Sequence, residues 1–121
     1  MTSIEGQPDP AGEALRAAVA DGMPRARLDL ARLVGLRSVF DPRIEDPAQC
    51  AAAASAVADL LTEVGLEVES IETPDGSTAV IGRSTARPAG TAPARPRVLL
   101  YTHHDVVPAG NVAAWSSDPW T

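Results

Sequence analysis

Apolar positions recur first at helical spacing and only later as short alternating or unbroken runs. Leu15, Val19, Met23, Ala26, Leu30 and Leu33 follow one another at steps of four, four, three, four and three. That spacing makes one stripe of an amphipathic helix beginning at Glu13. Gly22 and Pro24 interrupt it, and an interior proline removes a backbone hydrogen bond. Because the stripe keeps its phase across Pro24, the pattern predicts one kinked helix or two abutting ones, closed by Arg37 and Ser38. Residues 1–12, with Gly6, Pro8, Pro10 and Gly12, read as a flexible lead-in.

A second helix announces itself by its caps. Asp46 is a good N-cap, Pro47 suits the first helical position, and Gln49 stands three residues after the cap. Ala53, Val57, Leu60, Leu61 and Val64 form a narrow face whose alanines allow close approach to a neighbour. Gly65 suits the left-handed position that ends helices. Alternation at Leu66–Glu69, a turn at Pro74–Ser77 and a short run from Thr78 to Gly82 predict a hairpin over 66–82. Residues 87–96 hold three prolines and read as a surface loop. Val98–Tyr101 is an unbroken apolar run, the mark of a strand covered on both faces. The expected architecture is α/β, with helices packed on a mixed sheet.

Composition narrows the function. A chain of 121 residues holds one domain of ordinary size. Aromatic residues are 3% of it, so alanine-rich helices must build most of the core. Ten arginines against sixteen acids give a net charge of -6, which disfavours nucleic acid as a partner. No signal peptide and no membrane span are legible, and a cytoplasmic location is the expectation. Cys50 is the single cysteine. It excludes an internal disulfide or a Cys-x-x-Cys motif, and its apolar helical setting reads as a small buried hydrophobe.

The chemistry concentrates in 97–121. Thr102-His103-His104-Asp105 would lie at the carboxyl end of the buried strand, where open α/β sheets place ligands. Alternation puts His103 and Asp105 on one face and His104 on the other. A histidine with a carboxylate two residues on suits a metal, the carboxylate fixing the tautomer of the ring that binds the ion. From spacing alone, a His-His-Asp at a strand end is more often a hydrogen-bonded polar terminus than a ligand. One histidine also cannot hold zinc alone, since catalytic sites take three protein ligands.

The string Val98-Leu99-Leu100-Tyr101-Thr102-His103-His104-Asp105-Val106-Val107-Pro108-Ala109-Gly110, followed by Trp115 and Asp118-Pro119-Trp120, resembles the first metal-ligand segment of a family of zinc-dependent metallopeptidases and amidohydrolases. That family includes glutamate carboxypeptidase, succinyl-diaminopimelate desuccinylase, acetylornithine deacetylase, aminoacylase and carnosine-type dipeptidases, and the dipeptidase branch is the nearest in phrasing. Leu30–Val34 through Arg37-Ser38-Val39 is similar to its opening helix and turn. Leu60 through Val68 is similar to its second helix running into the first strand. Thr102 replaces a frequent glycine, and Trp120 a frequent phenylalanine.

The resemblance implies that residues 13–121 are the N-terminal portion of a three-layer αβα catalytic domain. It implies His103 as a ligand to one of two zinc ions, with cobalt or manganese as alternative metals. Asp105 is implied as the catalytic residue behind it, orienting or tuning the ring, and His104 inherits no role. The implied reaction is hydrolysis of an amide bond in a small peptide or N-acyl amino acid, by metal-activated water with a glutamate as base. The family's general base, remaining ligands and dimerisation domain have no counterpart in these residues. The expectation is therefore a front portion, inactive alone, whose parent can form a homodimer through a region absent here. A non-catalytic binding or assembly module and an ordinary α/β domain with a structural His103 are the competing readings.

Overall fold

A computed structural model of the chain describes residues 9–84 and 97–121. Helix α1 spans Pro10–Gly35 and α2 spans Ala48–Glu63; strands β1 (Glu67–Glu72) and β2 (Thr78–Arg83) follow, then a single 3-10 turn at Val112–Ala114. The expected loop at 87–96 lies outside the described residues, as do residues 1–8 of the lead-in.

Helix α1 starts three residues ahead of Glu13. The Asp9 side chain accepts a hydrogen bond from the Gly12 amide at 3.0 Å, and Pro10 takes the first helical position. The helix then runs through Pro24 as one element. At its end, Leu36 and Arg37 donate to the carbonyls of Leu33 and Val34. Arg37 has φ +49°, a left-handed conformation that costs a side-chain-bearing residue about 1 kcal/mol. Two contacts hold it there. Its guanidinium lies 5.6 Å from the centroid of the Trp120 ring, and Nη1 stands 3.9 Å from Glu45.

The apolar stripe of α1 is not a core face in this structure. No residue of the helix is buried, and Leu15 and Leu30 are 66% and 61% exposed. Periodicity identified the face, but among the described residues no element packs along it. The Arg25–Glu63 ion pair at 3.1 Å links α1 to α2, and a pair this exposed stabilises little.

Helix α2 carries the small core. Asp46 Oδ1 accepts from the Ala48 amide at 2.9 Å, so the expected capping bond forms, while the helix opens at Ala48 with Pro47 at its cap, one residue later than expected. Ala53, Ala54 and Ala56 are buried, Val57, Leu60 and Leu61 are half-buried, and Val64, which ends the helix, is exposed. Gly65 adopts φ +81°, and the Leu66 amide reaches back to the Leu61 carbonyl at 3.1 Å, closing a Schellman motif. That bond takes Leu66 out of the sheet, so β1 begins one residue later than expected. The helix packs on both strands. Gly82 marks the closest approach: a Cβ there would stand 2.9 Å from Leu66 Cδ1 and 3.2 Å from Leu61 Cδ1.

The hairpin is antiparallel, with Glu67 opposite Arg83 and Glu72 opposite Thr78. In its turn, the Asp75 carboxylate accepts from Thr73 Oγ1 (2.5 Å), Ser77 Oγ (2.8 Å) and the Ser77 amide (3.1 Å). The mixed sheet is realised as this two-stranded ladder plus one isolated parallel bridge, Val39 to Val106. Val98–Tyr101 departs from expectation. It joins no ladder, and its residues are 78–89% exposed. A doubly covered strand needs a neighbour on each edge and a layer on each face, and no described residue supplies them. No helix among the described residues is long and apolar enough to cross a membrane.

Two outcomes follow from these features. Hydrogen bonds from the Thr73 hydroxyl and from Ser77 lower the Asp75 carboxyl from 3.8 to about 2. The stability this turn contributes is complete above the unfolded value near 4 and is lost as pH falls through about 2. Thermal melts between pH 5 and 2 should therefore show an acid loss that D75N flattens. The exposed 98–101 run should drive self-association. L99K should shift the chain towards monomer in size-exclusion chromatography.

Candidate functional site

Ser38 builds the site. Its residue is fully buried, its Oγ donates to the His104 carbonyl at 2.8 Å, and its own carbonyl accepts the Val106 amide at 3.0 Å. The next residue, Val39, is also buried and forms the parallel bridge to Val106. The turn that ends α1 thus grips the His-x-Asp-Val segment by its backbone. On the other side, the His104 ring Nε2 lies 3.0 Å from the carbonyl of Thr78, the first residue of β2. A carbonyl only accepts, so Nε2 carries the hydrogen and donates.

His103 and Asp105 share a face, as alternation predicts, although the segment lies outside the sheet. His103 Nδ1 stands 2.9 Å from the Asp105 carbonyl and 3.1 Å from its Oδ1. The carbonyl again fixes a hydrogen on Nδ1, which donates, and Nε2 has no hydrogen-bond partner among the described residues. The side chains are 72% and 54% exposed. A carboxylate behind one ring nitrogen with the other nitrogen free is the arrangement of a metal-binding histidine held by its partner.

The donor set is one ligand and its support. Among the described residues, no cluster of three or more His, Cys, Asp or Glu side chains could hold a metal ion. The residues present therefore fit zinc only as a contributor to a larger site. Cys50 does not add to it. Burial first, and the negative charge of Asp105 second, push its thiol above the ordinary range, so the sulfur stays protonated.

The tail that follows folds back towards α1. Asn111 Oδ1 accepts from the Ala113 amide, Trp115 Nε1 donates to the Ala109 carbonyl at 2.9 Å, and Asp118 Oδ1 accepts from the Trp120 amide. Val34, Val106, Pro108, Trp115 and Trp120 line an apolar cavity of about 200 Å³. A second cavity, about 250 Å³, lies between Val39–Pro42, Cys50 and the hairpin turn. Neither is lined by His103 or Asp105. The parts that sequence reasoning missed are Ser38 as a clamp and His104 as a donor. Replacing the Ser38 hydroxyl leaves the His104 carbonyl without its donor. S38A should therefore cost about 1–2 kcal/mol in urea unfolding.

Comparisons with known proteins bear on what such a segment belongs to. No family model matches the chain, and no solved structure matches it. Over 67 residues, 55% of the chain, it is 45% identical to a cysteinylglycine-S-conjugate dipeptidase of Corynebacterium striatum. Over 69 residues, 53% of the chain, it is 38% identical to a Beta-Ala-His dipeptidase of Mus musculus. The matched region amounts to 14% of the length of each relative. These two partial matches support kinship with dipeptidases, which are peptide hydrolases.

Proposed function

We propose that this chain is the front portion of a zinc-dependent hydrolase acting on dipeptides or N-acyl amino acids, with His103 as a metal ligand and Asp105 as the residue that orients it. The observation that carries the reading is the His103–Asp105 pair itself. Asp105 occupies Nδ1 and leaves Nε2 free on an exposed side chain. The partial likeness to dipeptidases supports a small peptide as the substrate.

In this reading the catalytic domain is three-layered, and the remainder of its sheet covers Val98–Tyr101. Further ligands and the general base come from polypeptide outside these residues, as does any dimer contact. Zinc, when bound, supplies Lewis acidity and an acidified water. What these residues contribute is position. Ser38 fixes the backbone on either side of Asp105, and Asp105 fixes the tautomer and direction of the His103 ring. In this reading the protein works in the cytoplasm on a small-molecule substrate.

The test uses the longest natural form of the protein. H103A should abolish zinc-dependent dipeptide hydrolysis and lower bound zinc by elemental analysis. D105N should weaken zinc binding by about 10–100-fold, the usual cost of losing a ligand's hydrogen-bond partner. The 121-residue chain by itself should hydrolyse no dipeptide. Unchanged zinc content in H103A would overturn the proposal, and zinc-dependent turnover by the short chain would overturn its incomplete-site part.

A further inference from the structure

His104 stands where the family resemblance assigns nothing, yet it is the member of the 101–105 segment withdrawn from solvent. Tyr101, Thr102, His103 and Asp105 are exposed, and His104 is half-buried. Its Nε2–H donates to the Thr78 carbonyl, 26 residues away in sequence. Its Nδ1 is buried and has no hydrogen-bond partner among the described residues. A lone pair left unpaired is more easily tolerated than an unpaired donor, so the ring is oriented by its one bond to the hairpin.

The geometry explains why a third anchor is needed. Ser38 grips two backbone groups, the His104 carbonyl and the Val106 amide. Both bonds, like the Val39–Val106 bridge, reach the segment from the turn after α1. The bond from the His104 side chain to β2 supplies a point on a different element. We infer that His104 is a positioning residue: its bond to Thr78 fastens the His-x-Asp turn to the hairpin and so fixes the direction in which His103 presents its free nitrogen. The fastening follows from the contacts alone; its use in metal binding rests on the hydrolase reading.

The adjacent histidines then hold opposite tautomers, Nδ1–H at His103 and Nε2–H at His104. Nitrogen NMR of the 121-residue chain reads both directly. In H104F, which keeps an aromatic ring but has no donor, amide exchange at Val106 should speed up about tenfold, the expected scale for one lost hydrogen bond. The His103 nitrogens should move towards the values of a free imidazole. H104Q, whose side-chain amide can reach the same carbonyl, should restore both signals. An Nδ1–H tautomer at His104 in the native chain would overturn the inference, as would wild-type behaviour of H104F or failure of H104Q to restore. Should H104F not fold, the native tautomer and H104Q decide. Zinc titration of the longest natural form separates the two readings. Fastening without zinc at His103 keeps this inference and removes the hydrolase; zinc at His103 with an unfastened His104 removes this inference alone.

Discussion

One buried hydroxyl joins two parts of the chain that lie 66 residues apart. Ser38 is the fully buried polar residue beside a core made of Val39 and three alanines. A hydrogen bond withdrawn from water is hard to replace, because breaking it leaves a polar group without any partner. The His-x-Asp segment has no ladder of its own, so its place is set by this bond, the Val106 amide and the His104 ring. The orientation of His103 against Asp105 is meaningful only because that backbone is held.

The locally encoded parts of the fold were legible in the sequence. Asp46 caps α2, Gly65 ends it in the left-handed region, and Asp75 organises the hairpin turn, each through bonds spanning a few residues. The two departures share a cause. The α1 stripe and Val98–Tyr101 are apolar patterns that specify a wish for burial and not the surface that satisfies it. Periodicity belongs to the element, whereas coverage belongs to the tertiary assembly. Among the described residues neither pattern is covered.

The site divides in the same way. The spacing of His103 and Asp105 put them on one face, and the ring does meet the carboxylate. Ser38 was read only as part of the turn that ends α1 and His104 as a residue without a role; their bonds went unread, since a side chain bonded to a distant backbone carbonyl follows no motif. Arg37 was read as closing α1, but nothing in its identity announced a left-handed backbone, a position glycine ordinarily fills. Its stacking on Trp120 ties the end of the first helix to the last residues of the chain. That contact gives the terminal tryptophan a structural purpose independent of any chemistry.

The geometry of α1 has a mechanical side. Its 26 residues extend about 39 Å at 1.5 Å per residue, and its C-terminal end is anchored at Arg37 and Ser38. The helix is consequently a lever with a short arm at the clamp and a long arm ending at Pro10. A rotation of about 10° at the fulcrum would sweep the far tip through about 7 Å, on the same 1.5 Å rise. The Arg25–Glu63 pair, partway along the helix, is the described side-chain contact that braces it against α2.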